Sequence, residues 1–278
     1  MPEGDTIFFL AERMRLQLVG RTLRHVWLRE VSGASAVEGA EVTAVRSVGK
    51  HLLIDLEKAD APNRILRSHL GMNGSWRTLR RPVPRNPACR IAFRIEGGPE
   101  LRCEEAAQVE VFLARDEVRH PALSRLGPDL LGEHDLDAVV ARARARSPED
   151  LAALLLDQGT AAGLGNVYKS ELLFRAGLHP LLPVSAVDDA TLRRLFEDGA
   201  QLLAANSRRS RRVTTLGPRG ARARVRGIDH FVYGRGGRPC VLCGTRVQGM
   251  RQGPLVRPTW WCPRCQPPAR PASAPRGM

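Results

Sequence analysis

Two residues at the start of the chain, Pro2 and Glu3, have the types and the spacing that covalent catalysis requires. An initiator methionine is normally removed when a small residue such as proline follows it, which would leave the secondary amine of Pro2 as the N-terminus. An α-amino group has a reference pKa of about 7.7–8.0, so roughly a tenth of it is an uncharged nucleophile at neutral pH. A nucleophilic amine beside a carboxylic acid can form a Schiff base at a sugar or carbonyl carbon. Many chains begin Met-Pro without such a role, so the rest of the sequence must decide between the two interpretations.

Four cysteines near the C-terminus have the spacing of metal ligands. They form two Cys-x-x-Cys pairs, separated by residues 244–261, at Cys240, Cys243, Cys262 and Cys265. This pattern predicts a zinc ribbon in which four thiolates hold one structural Zn²⁺ ion. A hairpin of this size has almost no core, so the metal would supply its stability. The remaining cysteines, Cys89 and Cys103, lack metal spacing and are expected to be small buried residues.

The charge of the chain points to a polyanionic partner. The 278 residues carry a formal net charge of +14, which favours nucleic acid first and an acidic membrane surface second. Because no run of 18 apolar residues occurs, no membrane span is predicted. The N-terminus lacks the pattern of a signal peptide, so we expect a cytoplasmic protein with reduced thiols.

Lysine is rare in this arginine-rich chain. Of the 43 basic residues, only Lys50, Lys58 and Lys169 are lysines. A lysine can lose its proton or act as a compact ammonium, whereas arginine stays protonated in proteins. Each lysine is therefore a candidate for a task that arginine cannot perform.

A helix is predicted directly after the candidate nucleophile. Asp5 can cap a helix from about Thr6 to Val19, and Gly20 would end it. Pro2 and Glu3 would then lie just before the positive end of the helix, where a negative charge on Glu3 is stabilised.

The pattern in the first half of the chain predicts a set of short strands. Alternating apolar segments separated by turn residues cover residues 22–29, 41–47, 51–56, 65–70, 89–96 and 109–113. Several short strands without helices between them predict an antiparallel β-sandwich or barrel.

The pattern becomes helical from about Leu136. Ser147 with Pro148 indicates the start of a first helix. A second helix is expected from about Asn166 to Gly177, and a third from Asp188. The fold class is therefore α+β, with a β-sandwich flanked by a helix before a helical C-terminal part that ends in the ribbon.

An arginine-rich segment follows the third predicted helix. Residues 207–226 carry Arg208, Arg209, Arg211, Arg212, Arg219, Arg222, Arg224 and Arg226. Such a segment is a solvated loop, and it can also settle on phosphates. We expect domains at residues 2–125, 126–232 and 233–266, and a disordered tail at residues 267–278.

The N-terminal Pro2-Glu3, the lysine in Gly49-Lys50-His51-Leu52-Leu53 and the four-cysteine ribbon together resemble one family. It is the formamidopyrimidine-DNA glycosylase and endonuclease VIII family of base-excision repair enzymes. Further similar segments are a lesion-probing loop at residues 68–72, an interdomain stretch at 126–129, a helix–two-turns–helix at 163–166 and a zinc-finger signature at 257–266. The similar segments occur in order and span almost the whole chain.

The resemblance implies a bifunctional DNA glycosylase and AP lyase. Pro2 would attack the anomeric carbon of the damaged nucleotide, with Glu3 as general acid and base. Lys50 would protonate a leaving group or hold a phosphate during β,δ-elimination, and Arg257 would hold the phosphate beside the flipped nucleotide. The expected partner is double-stranded DNA with oxidised bases or abasic sites, bound by a monomer at the bacterial nucleoid.

Three further residues are DNA-binding candidates by resemblance. Met72 would fill the gap that the flipped base leaves, and its alternative is an ordinary core methionine. Asn166 would contact a phosphate, or it would simply cap its helix. Arg125 resembles a DNA-contacting arginine, and its alternative is a surface charge in a linker.

The opening Pro-Glu-Gly is similar to the endonuclease VIII branch and favours oxidised pyrimidines as substrates. Thr6 departs from this pattern, because both branches usually have a second glutamate there. Gly71-Met72-Asn73 is closer to the purine branch, while the Asp-Pro-Arg-Arg-Phe-Gly loop of that branch is missing near residues 114–119. The rival hypothesis is a zinc-ribbon protein that binds damaged or abasic DNA without turnover.

Overall fold

A computed structural model describes residues 1–81, 83–146, 149–215, 227–252 and 256–268. The chain divides into two units, Met1–Leu126 and Gly127–Met278. Within the described residues, no helix is long and apolar enough to cross a membrane.

The first unit contains a two-sheet β-sandwich. Its strands are β1 (Leu23–Leu28), β2 (Glu41–Val48), β3 (His51–Lys58), β4 (Ala61–His69), β5 (Ser75–Leu79), β6 (Cys89–Ile95), β7 (Glu100–Glu104) and β8 (Gln108–Leu113). In the described part of the unit they form antiparallel sheets in the orders β1-β6-β7-β5 and β2-β3-β4-β8. The predicted sandwich is confirmed, whereas β5 and β7 were missed because charged residues interrupt their apolar alternation.

The core of this unit lies between the sheets. Leu52 and Ile54 of β3 belong to the same buried cluster as Ile91 and Phe93 of β6. The helix α1 (Gly4–Leu18) adds Ile7 to this cluster, and a short helix α2 (Ala34–Val37) follows β1. Leu52 and Ile54 are two positions apart, as are Ile91 and Phe93, so the two members of each pair lie on the same face of their strand, towards this core.

The start of α1 differs from the prediction. The N-cap is Glu3, so the helix begins two residues earlier than the expected Thr6 and Asp5 lies inside its first turn. The difference arises because Thr6 and Glu3 cap each other, which makes Asp5 unnecessary as a cap.

The second unit is helical. Its helices are α3 (Leu136–Arg146), α4 (Leu151–Leu156), α5 (Asn166–Ala176) and α6 (Asp189–Asn206). The predicted starts of α5 and α6 are confirmed, and Gly177 ends α5 with a left-handed φ of 71°. The helix predicted from Ser147 begins later, because Asp150 is its N-cap and accepts a hydrogen bond from the backbone of Ala153 at 2.8 Å.

A buried carboxylate joins α5 to the chain before the C-terminal hairpin. Glu171 is fully buried and accepts hydrogen bonds from the backbone N–H groups of Phe231, Val232 and Tyr233, each at 2.8 Å. The hydroxyl of Thr214 donates to the same carboxylate at 2.7 Å. This residue is the structural link that the sequence did not reveal, because its partners lie some sixty positions away.

The C-terminal hairpin consists of β9 (Gln248–Gln252) and β10 (Arg257–Trp261), which pair antiparallel. Of the arginine-rich segment, the structure describes residues 207–215, where Arg211 pairs with Asp229 at 2.5 Å and Arg212 lies over the ring of Tyr168. The predicted contacts of Arg219, Arg222, Arg224 and Arg226 lie outside the described residues, as does most of the predicted tail.

Candidate functional site

The residues at the start of α1 place a carboxylate beside Pro2. Glu3 is 1% exposed, whereas Pro2 is partly accessible. Glu3 and Thr6 form a reciprocal capping box, in which the hydroxyl of Thr6 accepts from the backbone N–H of Glu3 at 3.5 Å. The hydroxyl of Thr6 also lies 3.3 Å from Oδ1 of Asp5. The unexpected threonine is therefore part of the frame that holds Glu3, and its exposed position is compatible with that task.

Lys50 lies in the two-residue turn between β2 and β3. Val48 pairs with His51 across the hairpin, and Gly49 has a φ of 57°. A tight hairpin needs positive φ in its turn, which glycine provides without steric cost. The turn presents Lys50 half-buried at one end of its sheet.

A polar network lies on the sheet next to this turn, and the sequence did not predict it. Arg67 of β4 is 1% exposed and donates to Nδ1 of His51 at 2.6 Å, to Glu110 at 2.9 Å and to Gln108 at 2.9 Å. The rings of His51 and His69 are 4.9 Å apart. Because arginine can only donate, Nδ1 of His51 is the acceptor and the neutral ring carries its proton on Nε2.

The surroundings of His51 keep its ring uncharged. Burial, followed by the positive charge of Arg67 and further cations that include Lys50, lowers the pKa of His51 from 6.5 to about 3. The sequence offered one signal for the network around Arg67, namely an arginine in the middle of a predicted strand. If such a residue is buried, it needs partners on the neighbouring strands.

The loop after β4 displays Met72. Its side chain is 55% exposed, so the alternative of a core methionine is wrong. Gly71 has a φ of 66°, and a Cβ on it would lie 2.8 Å from the Cβ of Ala107. A Cβ on Gly74 would lie 2.3 Å from the carbonyl oxygen of Leu70. The two glycines therefore allow the tight loop on which Met72 stands.

The segment that lacks the purine-branch loop is a 3-10 helix, Ala114–Arg119. Arg46 of β2 fixes it through Glu117 at 2.6 Å and also pairs with Asp55 at 2.7 Å. These hydrogen bonds to carboxylates raise the pKa of Arg46. Arg125 follows in an exposed turn, as either of its two interpretations requires.

Asn166 and Arg257, both in the second unit, are connected through a third residue. Asn166 is the first residue of α5 and 2% exposed, and the N-cap is Gly165, so Asn166 is not the cap of this helix. Arg257 is the first residue of β10 and is partly buried. The buried Nζ of Lys169 donates to Asn166 and to Thr259, two positions after Arg257.

The ribbon cysteines come together as predicted from their spacing. The Sγ atoms of Cys240, Cys243, Cys262 and Cys265 all lie within 4.8 Å of one another. Sulfurs around a tetrahedral ion with metal–sulfur bonds of about 2.3 Å would lie about 3.8 Å apart. The Cys240–Cys265 and Cys243–Cys262 separations are 3.9 and 3.4 Å, so this cluster fits a four-thiolate metal site.

The two remaining cysteines are confirmed as core residues. Cys89 and Cys103 are both fully buried in the first unit. Burial raises the pKa of both thiols, which disfavours their reactive thiolate forms.

Comparisons with known proteins agree with this architecture. Residues 1–109 match the formamidopyrimidine-DNA glycosylase N-terminal domain, and residues 126–215 match the formamidopyrimidine-DNA glycosylase H2TH domain. The chain is 40% identical to the probable endonuclease 8 2 of Streptomyces coelicolor, over all of this chain and 97% of that protein. It is 37% identical to the DNA-(apurinic or apyrimidinic site) lyase Nei2 of Mycolicibacterium smegmatis, over 96% of this chain and 99% of that protein.

A solved structure supports the same assignment. The MutM (Fpg) protein of Thermus thermophilus superposes with a TM-score of 0.77 at 31% identity, covering 95% of this chain and 98% of that one. The matches to domains, relatives and structure extend over almost the whole chain, so this protein is a member of the formamidopyrimidine-DNA glycosylase and endonuclease 8 family of DNA repair glycosylases and AP lyases.

Proposed function

We propose that this enzyme removes oxidised bases from duplex DNA through a Schiff base on Pro2 and then cuts the strand. The observation that carries the proposal is the placement of Glu3. Its side chain is buried at the N-cap of α1, immediately after Pro2, where Glu3 and Thr6 form a capping box. A positioned acid beside an N-terminal secondary amine is the arrangement that the reaction needs.

The first steps follow from these two residues. After removal of Met1, the nitrogen of Pro2 attacks C1′ of the damaged nucleotide. The bond between C1′ and the base breaks, and the base leaves with the bonding electrons and takes a proton that Glu3 supplies. The amine then loses its proton, and the bond between C1′ and the ring oxygen breaks. The ring oxygen takes up a proton and becomes a hydroxyl, which leaves an iminium between Pro2 and C1′.

Strand cleavage follows from the electron demand of the iminium. It acidifies the hydrogen on C2′, and loss of that proton expels the 3′ phosphate. A second elimination expels the 5′ phosphate, and water hydrolyses the remaining iminium and frees Pro2. Lys50, at its hairpin turn, would protonate a departing oxygen or hold a phosphate during these steps.

The second unit would grip the DNA backbone. Arg257 and Asn166 would hold phosphates near the flipped nucleotide, and Met72 of the first unit would fill the gap in the base stack. Four thiolates with this spacing favour Zn²⁺, which would stabilise the hairpin that carries Arg257. The expected partner is duplex DNA, bound by one copy of the protein.

Oxidised pyrimidines are the proposed substrates. Gly4 after Pro-Glu supports this assignment. So does the sequence identity, which is 40% and 38% to relatives named endonuclease 8 2 and 31–34% to three relatives named formamidopyrimidine-DNA glycosylase. The test compares single-turnover excision of thymine glycol and 5-hydroxyuracil with that of 8-oxoguanine and formamidopyrimidine lesions. Faster excision of the purine lesions would contradict the assignment.

Borohydride trapping tests the nucleophile. Sodium borohydride should reduce the iminium and fix the protein covalently to DNA that contains an abasic site or an oxidised pyrimidine. Pro2→Gly should retain some trapping, because glycine also provides a terminal amine. Retention of Met1 or an N-terminal tag should abolish trapping, because the proline nitrogen is then an amide.

Two variants complete the test. Glu3→Gln should slow base release more than cleavage at a ready-made abasic site, because only base release needs a proton for the departing base. Lys50→Ala should still be trapped. Trapping that survives an N-terminal tag and disappears in Lys50→Ala would move the nucleophile to Lys50. Binding to damaged DNA without any trapping or cleavage would favour the rival role of a non-catalytic binder.

A further inference from the structure

Lys169 is a fully buried lysine on α5, with 0% exposure. A buried ammonium is costly unless oxygen atoms replace its water. Its Nζ lies 2.7 Å from Oγ1 of Thr259, 3.0 Å from the carbonyl oxygen of Pro258 and 3.3 Å from Oδ1 of Asn166. An ammonium has three N–H donors, and each of these oxygens can accept one of them.

The partners of Lys169 come from two distant parts of the second unit. Asn166 begins α5, one turn before Lys169. Pro258 and Thr259 directly follow Arg257 on β10, and Thr259 is also fully buried. One side chain thereby joins the start of a helix to the strand that carries the candidate phosphate-binding arginine.

The same contact determines the orientation of the Asn166 amide. An ammonium has no acceptor, so the oxygen end of the amide must face Lys169. The NH₂ end then points away from Lys169. An NH₂ group is a hydrogen-bond donor, which is the group that a phosphate oxygen requires.

We propose that Lys169 is a positioning residue that holds Asn166 and Arg257 in the geometry for gripping the DNA backbone. The inference rests on the proposed phosphate-binding roles of these two residues. Because Lys169 itself is buried, it acts through them and makes no contact with DNA. The burial also explains why this position differs from the many surface positions where the chain uses arginine: a compact ammonium fits between three oxygens.

The experiment uses the metal-loaded full chain and a duplex with a tetrahydrofuran abasic-site analogue as the probe. Lys169→Met keeps an unbranched side chain that is one atom shorter and removes the charge. It should weaken binding about tenfold, the effect of losing one charge-assisted contact. The slope of log K against log salt should fall in magnitude by about 0.9 although Lys169 is buried, because the displaced Arg257 no longer neutralises its phosphate.

A double-mutant cycle separates positioning from general stability. Arg257→Ala and Lys169→Met should not be additive, so the double variant should bind within about twofold of Arg257→Ala alone. Lys58→Met is the matched control, since Lys58 also donates to a backbone carbonyl but lies at the end of β3. It should leave affinity and salt slope unchanged.

Substitutions of Thr259 keep the test decisive if Lys169→Met fails to fold. Thr259→Val removes the hydroxyl acceptor with little change of shape and should weaken binding in the same direction. Thr259→Ser retains the hydroxyl and should restore binding. Equal effects of the valine and serine variants would overturn the role of the hydrogen bond.

The remaining outcomes are distinguishable. Wild-type affinity of Lys169→Met, or full additivity with Arg257→Ala, would overturn the positioning role while leaving the proposed function intact. If Arg257→Ala itself binds normally, the proposed phosphate contact fails first, and the positioning role fails with it.

Discussion

At the scale of single residues, the surroundings of Glu3 depend on one hydroxyl. Thr6 accepts a hydrogen bond from the N–H of Glu3 and forms the capping box with it. Without the hydroxyl, this hydrogen bond of the capping box would be lost. The residue that departs from the family pattern thus has a task at the candidate active site.

Thr6→Val should show this task. It keeps the shape of the side chain and removes the hydroxyl, so the free energy of unfolding should fall by about 1 kcal/mol, the usual value of a helix cap. Borohydride trapping should slow, because Glu3 is less firmly held, and Thr6→Ser should restore both quantities. Urea unfolding and trapping rates measure the two effects, and equal behaviour of the valine and serine variants would contradict the prediction.

His51 should make stability depend on pH. Its pKa is about 3 in the folded chain and 6.5 as an ordinary histidine, because burial, Arg67, His69, His120 and Lys50 all disfavour its charge. The unfolded chain therefore binds more protons between these values. The contribution is fully present above about pH 6.5 and is lost as pH falls toward 3.

His51→Gln removes this titration and keeps an acceptor for the guanidinium of Arg67. The difference in unfolding free energy between wild type and variant should rise with pH over this window, with a slope of up to about 1.4 kcal/mol per pH unit. Urea unfolding at several pH values measures it. A difference that stays constant from pH 4 to pH 7 would contradict the assignment.

At the scale of elements, Arg67 connects three neighbouring strands. Its guanidinium on β4 contacts His51 at the start of β3, and Gln108 and Glu110 on β8. These strands also carry or flank the Lys50 turn and the Met72 loop. The network therefore fixes the ends of the strands next to two candidate site residues of the first unit, Lys50 and Met72.

Arg67→Met should cost about 3 kcal/mol of unfolding free energy, near the lower end for breaking a buried ion pair, because Glu110 keeps partial access to water. Arg64→Met on the same strand is the control, since Arg64 is more accessible, and it should change stability by less than about 0.5 kcal/mol. Chemical denaturation compares them. Equal small effects would mean that the Arg67 network does not stabilise the sheet.

At the scale of the whole molecule, each unit has its own core and its own part of the proposed task. The first unit carries Pro2, Glu3 and Lys50, and the second carries helices α3 to α6, the ribbon and Arg257. The net charge of +14 belongs to the chain as a whole and favours contact with DNA. The ribbon has little apolar core, so its order should depend on the metal.

Cys262→Ser should release one zinc ion per chain and abolish tight DNA binding while most helical signal remains. The physical reason is that helices α3 to α6 have their own buried cluster, in which the cysteines take no part. Metal analysis, circular dichroism and binding to abasic-site DNA measure the three quantities. A metal-free protein with full activity would contradict the prediction.

Local patterns were sufficient for much of the fold and for several candidate residues. The cysteine spacing brought four sulfurs together, and alternating residues located six of the eight strands described in the sandwich. The strands depend on neighbours within a few positions, and the cysteine cluster depends on a spacing that can be read along the chain, so the sequence contains both directly. The expected start of α1 was wrong by two residues. Both Glu3 and Asp5 are possible N-caps in the sequence, and only the backbone conformation decides between them.

The residues that tie the elements together were determined by tertiary structure. Arg67 bonds to Glu110 across 43 positions, and Lys169 bonds to Thr259 across 90. A buried cation is compatible with folding only when the chain brings oxygens or carboxylates to it, and no local pattern records where those partners are. The sequence by itself therefore determined which chemical groups the protein contains. The tertiary structure decided which of these groups are held in a fixed geometry, because folding brings residues that are far apart in the sequence into contact inside the protein.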